Sequence, residues 1–509
     1  MYRRLYSMGL QGMQAFIVTV ETDISRGMPG FEIVGLPDNA VRESRDRVRP
    51  AVRNCGYEFP ASRITINLAP ADIRKSGPLY DLPVFLSILA ATGQLAVSLD
   101  NMVFLGELAL DGGVRAVNGV LPMVLAAKEA GFQKAFVPAA NATEAGIVAG
   151  IEVFGIAHVD ELIGFLTGIR KLSPVTTSIP AYSETGHLPD FSDVKGQKEA
   201  KRALEIAAAG GHNVLMLGSP GSGKSMLAKR LPSILPDMTW EEQIEITKIH
   251  SVAGLLTAEQ PLVRSRPFRA PHHTVSAAGL TGGGVMPRPG EISLAHHGVL
   301  FLDELPEFPR NVLEILRQPI EDGKVTISRA SGTITYPSSM MVIAAMNPCP
   351  CGYFGHPFRP CTCTDQQVSR YLAKVSGPLL DRLDLHIEVM PVEFESLSST
   401  QQEESSAAVK ARVDKARAIQ LERYQTTGIT CNAQLSSGQL EQFCQLTGRS
   451  RDILKSAFER LGLSARAYDR ILKIARTIAD LDHCETIGSS HIAEAIRYRN
   501  LDRKYWQHT

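Results

Sequence analysis

The sequence predicts an α/β multidomain protein built around one phosphate-binding loop, with a helical C-terminal part. Three observations predict this. Strand and helix signals alternate over residues 1–170, the pattern of an α/β or α+β domain. The run Asn213-Val214-Leu215-Met216-Leu217 reads as a buried strand. It leads into Gly218-Ser219-Pro220-Gly221-Ser222-Gly223-Lys224-Ser225 and a helix start at Met226. That stretch fits G-x-x-x-x-G-K-[ST] in its strand–loop–helix setting, the Walker A loop. Beyond residue 395 the chain reads as helical, with Ile471, Leu472, Ile474, Ala475 and Ile478 on one apolar face. The expected division is an α/β domain over 1–170, a linker over 171–189, a nucleotide-binding domain over 190–394 and a helical domain over 395–509.

Composition narrows the function. The 509 residues are 44% hydrophobic and 21% charged, ordinary for a folded chain. Lys and Arg total 53, as do Asp and Glu, so any nucleic-acid contact must be local. No apolar run reaches the roughly 18 residues of a membrane helix. Met1-Tyr2-Arg3-Arg4-Leu5 is not followed by an apolar segment of signal-peptide type. Eight cysteines in such a chain fit a reducing, cytoplasmic compartment.

Within residues 1–170, strands are expected at 15–21, 31–35, 63–68, 103–110 and 134–138, and helices at 38–55, 82–94 and 121–130. Two segments resemble the proteolytic domain of Lon. Lys75-Ser76-Gly77-Pro78-Leu79-Tyr80-Asp81 is similar to the Lon segment with the nucleophilic serine. Gly106-Glu107, through Val114 to Ala127, is similar to the segment with its lysine. A Ser–Lys protease needs a hydroxyl nucleophile and an amine base within reach of each other. Here Leu79 stands at the serine position and Leu121 at the lysine position, while Ser76 and Lys75 are out of register. The resemblance implies a Lon-protease-like (ribosomal S5 domain 2-like) fold without protease activity.

Pro174, Pro180 and Pro189 among Ser, Thr and Gly mark the 171–189 linker. The Walker A glycines let backbone N–H groups curl around phosphate oxygens. Lys224 is expected on the β/γ-phosphates and Ser225 on Mg²⁺. Gly298-Val299-Leu300-Phe301-Leu302-Asp303-Glu304 reads as a buried parallel strand ending in two carboxylates, a Walker B pattern. Asp303 would support Mg²⁺ and Glu304 would polarise the attacking water. Lys224 and Asp303 lie 79 residues apart, more than a minimal P-loop unit needs, so a Gly- and Pro-rich insertion lies between them. His272-His273 and His296-His297 fall in this region. Adjacent histidines on a strand point apart, so no shared metal is expected there. A helix over 310–320 and a hairpin across Ala330-Ser331-Gly332 follow, with basic Lys324 and Arg329 on the hairpin. Then comes the apolar run 341–346, ending at Asn347.

Cys349-Pro350-Cys351 and Cys361-Thr362-Cys363 place four thiols in fifteen residues. They could close a tetrahedral structural Zn²⁺ site. The other reading is a loop of unliganded, redox-sensitive thiols. A metal-stiffened loop would present Tyr353, Phe354 and Arg359 for stacking on nucleic acid.

Together these segments resemble the magnesium-chelatase-like AAA+ ATPases of the YifB/ComM type, over nearly the whole length. The matching stretches include 267–273, 298–308 and 347–351. The resemblance implies an AAA+ P-loop ATPase core with a helical C-terminal lid. It implies that Asn347 is sensor 1, positioning water against the γ-phosphate. Arg382, in Leu379-Leu380-Asp381-Arg382-Leu383-Asp384, would be the arginine finger aimed at a neighbouring subunit; its plainer alternative is a helix-end salt bridge. Arg466, in Ser464-Ala465-Arg466-Ala467-Tyr468-Asp469-Arg470, would be sensor 2, reaching the nucleotide of its own chain. The family also implies ATP and Mg²⁺ as cofactors, and a homo-oligomer, a hexameric ring. Its implied partner is single-stranded or branched DNA, with recombination proteins beside it and no membrane. The implied activity is helicase and branch migration during homologous recombination and natural transformation. The alternative is a chelatase-like or chaperone-like remodeller of a protein partner.

Overall fold

The structure, a computed structural model, describes residues 1–177, 189–284, 287–329, 332–392, 403–499 and 501–506. Most of the 171–189 linker, the Ala330-Ser331 turn and the expected boundary at 394 and 395 lie outside these residues.

Seven strands form the first sheet. Their order is Gly30–Val34, Arg63–Ala69, Gln14–Ser25, Tyr2–Gln11, Met102–Phe104, Lys134–Pro138 and Glu152–Ile156. Tyr2–Gln11 and Gln14–Ser25 make an antiparallel hairpin, and the last three strands run parallel. Sequence alone does not mark Tyr2–Gln11 or Glu152–Ile156 as strands. Arg3, Arg4 and Gly9 interrupt the alternation in one, and Gly155 weakens the other. The expected 103–110 strand breaks after Phe104. The Gly106 N–H donates to the Leu79 carbonyl and the Gly106 carbonyl accepts from Leu82 N–H, so the chain leaves the sheet to hold the start of the Asp81–Thr92 helix. That helix is buried almost all round. Its buried Asp81 is compensated by Ser44, by Arg47 Nε at 2.6 Å and by Leu108 N–H at 3.2 Å. Leu79 and Leu121 are both core side chains.

The second sheet is wholly parallel. Its order is Phe268–Arg269, Val299–Leu302, Met341–Met346, Val214–Leu217 and Leu385–Glu388. Val299–Leu302, Met341–Met346 and Val214–Leu217 are buried along their full length, which is why they read as unbroken apolar runs. The helices Ser406–Arg423 and Ala465–Leu481 pack on Lys198–Gly210. One apolar core runs from Phe191 through the sheet to Ala495 in the Ser489–Arg497 helix. Lys324–Arg329 and Gly332–Pro337 form the expected hairpin, with Val325, Ile327 and Tyr336 inward and Lys324 and Arg329 exposed.

The two sheets are joined through the Trp240–Ala253 helix. Its Ser251 hydroxyl donates to Glu144 Oε2 at 2.8 Å in a buried contact, and the Ser251 carbonyl accepts from Gly119 N–H at 3.0 Å. Burial raises the pKa of Glu144, against the hydrogen bonds from Ser251 and Asn141. No helix among the described residues is long and apolar enough to cross a membrane.

Candidate active site

The site grows from the ends of three adjacent parallel strands, where ligands collect in open α/β sheets. Val214–Leu217 leads into the Walker A loop. A Cβ at Gly218 would stand 2.5 Å from the Val389 carbonyl oxygen, so only glycine fits there. Gly221 and Gly223 have φ of +78° and +95° and turn the backbone into the Lys224–Arg230 helix. Lys224 is 8% exposed. Its Nζ donates to the carbonyls of Gly218 (2.7 Å) and Ser219 (3.0 Å) and to Asn347 Oδ1 (3.1 Å). Burial lowers its pKa, and Asp303 and Glu304 oppose that shift. Ser225 Oγ donates to Asp303 Oδ2 at 2.6 Å. Lys224, Ser225, Asp303 and Asn347 therefore form one connected cluster, with Ser219, Pro220 and Ser222 in the same loop.

Glu304 follows the Val299–Leu302 strand in the left-handed region, at φ +53°. This turn lifts its side chain out of the sheet, leaving it 60% exposed. His273 Nδ1 lies 3.4 Å from Glu304 Oε2. Sequence reasoning considered His273 only as a metal ligand and missed this contact, because it bridges loops 31 residues apart.

Both histidine pairs correct the expectation that their rings point apart. His272 and His273 have ring centroids 4.0 Å apart, and His296 and His297 are 3.9 Å apart. Neither pair lies on a strand, and His297 has φ +53°. His296 and His297 converge on Glu245 Oε2 at 3.3 and 3.0 Å. Their hydrogen bonds hold the Glu245 carboxyl well below the usual range. His296 Nδ1 accepts from Ser339 N–H at 2.9 Å, which puts the ring proton of a neutral imidazole on Nε2, facing Glu245. Glu245, His296 and His297 thus form an imidazole–carboxylate cluster whose donor atoms lie within 4.8 Å of one another.

Arg382 and Arg466 lie elsewhere. They line a cavity of ≈ 730 Å³ with Arg266, Arg417, Arg470 and Lys473. Its floor includes Asn213, Gly298, Met341 and Asp384, residues at the starting ends of the parallel strands. The Walker A loop sits at the finishing ends, a strand length of about 13 Å away. Arg466, expected to reach its own chain's nucleotide, lies instead beside Arg382 in the cavity at the opposite edge. The cause is the docking of Ala465–Leu481 against Lys198–Gly210, which no local motif encodes. Arg382 is buried, with Nη2 2.6 Å from Glu321 Oε1 and further bonds to the carbonyls of Arg317 and Pro378. Glu321 must release it before it can meet another group. Asp384 is buried, which alone would raise its pKa. His212, Arg470 and the Asn213 N–H instead hold it well below the usual carboxylate range.

The four clustered cysteines come together. Sγ atoms of Cys349, Cys351 and Cys361 are 3.3, 3.5 and 3.7 Å apart, and all four donors lie within 4.8 Å of one another. A tetrahedron of sulfurs around zinc has an edge of about 3.8 Å, so the donor set fits. All eight cysteines are unpaired by disulfides. Phe354 N–H donates to Cys349 Sγ and Cys363 N–H to Cys361 Sγ. Burial pushes the Cys349, Cys361 and Cys363 thiols up. Burial acts the same way on Cys351, but the Thr362 and Tyr353 N–H groups and two neighbouring thiols bring it down to about 5. Arg359 Nη1 donates to the Tyr353 hydroxyl at 2.9 Å, and Phe358 beside them is exposed.

Residues 190–397 match the family described as "Magnesium chelatase, subunit ChlI". Residues 20–141 match "Subunit ChlI of Mg-chelatase", and 403–499 match "Magnesium chelatase, subunit ChlI C-terminal". The chain is 46% identical to the competence protein ComM of Haemophilus influenzae, over 98% of this chain and 97% of that protein. It is also 46% identical to the uncharacterized protein YifB of Escherichia coli, over 97% of this chain and 96% of that one. Lon protease 2 of Bacillus subtilis is 29% identical over 32% of this chain and 30% of its own length.

Proposed function

The chain belongs to the magnesium-chelatase-like AAA+ family of the YifB and ComM type, and from that premise we propose that it is an ATP-driven ring motor acting on DNA. The observation that carries the ring is the separation of two half-sites. Lys224, Ser225, Asp303, Glu304 and Asn347 gather at one edge of the sheet, and Arg382 and Arg466 at the other. Neither half can hydrolyse ATP alone, but copies arranged head to tail bring one edge against the other, and such an interface closes into a ring. Membership of this family implies ATP and Mg²⁺. In this reading residues 1–170 are a Lon-like domain stripped of protease chemistry, 190–394 the motor and 395–509 the lid.

Each residue then has one task. Lys224 and the 218–225 backbone hold the phosphates. Ser225 and Asp303, already hydrogen-bonded to each other, hold Mg²⁺. Glu304 takes the proton of the attacking water once His273 lets it go. Asn347 orients that water. Arg382 and Arg466 of the next copy stabilise charge developing on the γ-phosphate. Cys349, Cys351, Cys361 and Cys363 hold a structural zinc ion.

DNA as the track is supported by the name of the H. influenzae relative, a competence protein, and by exposed Lys324 and Arg329 on the hairpin before Met341–Met346. We read the work as helicase and branch migration on single-stranded or branched DNA, by a cytoplasmic hexamer serving recombination and natural transformation. Phosphate release by the purified chain is expected to rise several-fold with forked or single-stranded DNA. No response to either DNA, with basal ATPase intact, would turn the reading to a remodeller of a protein partner. Glu304→Gln is expected to keep ATP affinity while hydrolysis falls about 10²-fold or more. Normal turnover in that variant would remove Glu304 from the base role.

A further inference from the structure

Gly352 follows Cys351 directly, and its backbone runs against the Walker A loop. A Cβ there would stand 2.4 Å from Pro220 Cδ and 2.7 Å from Pro220 Cγ, and Gly352 has φ +83°. Nothing larger than glycine fits without moving Pro220. The same segment begins at Asn347, whose Oδ1 accepts from Lys224 Nζ. Cys349, two residues on, is fully buried. The cysteine loop therefore touches the phosphate-binding loop twice, through an amide on Lys224 and through backbone on Pro220. Residues 347–364 contain no helix or strand, so few backbone hydrogen bonds hold this contact surface in shape.

We propose that a zinc ion held by Cys349, Cys351, Cys361 and Cys363 sets the shape of the Walker A loop through the Gly352–Pro220 contact, so that metal binding and ATP binding are coupled. The proposal rests on the reading of 218–225 as the ATP site and of the four thiols as a zinc site. Gly352 lies inside the chain closure that the ion makes between Cys349 and Cys363. Metal binding removes the conformational freedom of that closure, and the surface against which Pro220 rests is then fixed. The coupling is reciprocal: if zinc tightens ATP binding by some factor, ATP tightens zinc binding by the same factor.

The test uses the full chain, with zinc counted by elemental analysis and affinity read from a fluorescent ATP analogue with Mg²⁺. One zinc per chain is expected. Its removal by a chelator under reducing conditions should weaken ATP binding about tenfold, and zinc addition should restore it. Gly352→Ala keeps all four thiols, so its zinc content should stay at one per chain while ATP binding weakens by a similar factor. Gly355→Ala is the control, since exposed Gly355 has φ +75° in the same loop and carries the same backbone strain. ATP affinity unchanged within twofold on zinc removal would overturn the coupling. Equal losses in the Gly352→Ala and Gly355→Ala variants would also overturn it, by assigning the effect to strain. A chain that carries no zinc as purified and takes up none when zinc is added, yet binds ATP, defeats the zinc reading instead, and a zinc-loaded chain that binds no ATP defeats the nucleotide reading.

Discussion

Lys224→Ala is expected to weaken nucleotide binding about 10²-fold or more. In the structure Nζ makes three hydrogen bonds to Gly218, Ser219 and Asn347. These hold the ammonium at the mouth of the loop, where the β- and γ-phosphates would take it over. Alanine removes the only cation in the loop 218–225. Two charge-assisted hydrogen bonds at about 1.5 kcal/mol or more each correspond to about 10²-fold in affinity. The fold should survive, because the helix Lys224–Arg230 is anchored by buried Leu227 and Ala228. Titration with a fluorescent ATP analogue checks it, with the thermal transition as the control for folding. Affinity within threefold of the parent would refute the P-loop assignment.

The second large effect concerns the far edge of the sheet. Arg382→Ala and Arg466→Ala are each expected to lower hydrolysis on the order of 10³-fold while sparing ATP binding. Mixing carries the argument. A Lys224→Ala subunit has no working phosphate loop but keeps both arginines, and an arginine variant has the reverse defect. In a mixed ring, every seam with an intact loop on one side and intact arginines on the other should turn over. Rescue of Arg382→Ala by Lys224→Ala subunits, read as phosphate release against mixing ratio, supports action across the seam. The same mixing decides Arg466. If Arg466 served its own chain's nucleotide, mixing could not restore the Arg466→Ala activity, and the half-site reading would fall.

Much of this was legible in the sequence because it is written locally. Val214–Leu217, Val299–Leu302 and Met341–Met346 are unbroken apolar runs because both faces of a parallel sheet are covered. Gly221 and Gly223 announce positive φ. Asp303 and Asn347 sit at the finishing ends of such runs, so their convergence on Ser225 and Lys224 follows from strand order alone. What escaped depends on distant packing. The side of the sheet on which Arg466 falls is fixed by how Ala465–Leu481 lies on Lys198–Gly210. The partner of Arg382, Glu321, is 61 residues away. The close, tilted histidine pairs escaped because a strand was assumed where the chain turns, as the φ of His297 records. Gly352 escaped because no pattern in a sequence says which proline a glycine will rest on.

The unbroken core from Phe191 to Ala495 has a mechanical consequence. Separating the lid from the sheet would expose side chains such as Ile471, Ile474 and Ile478, which are fully buried, at about 25 cal/mol for each Å² of apolar surface. The described residues on the two sides of that junction are therefore packed as one unit. In the proposed ring, movement is then delivered where subunits meet, at the joint between one chain's phosphate loop and the next chain's arginines. In that ring the movement scales with the number of joints, and a lone subunit has no joint to close.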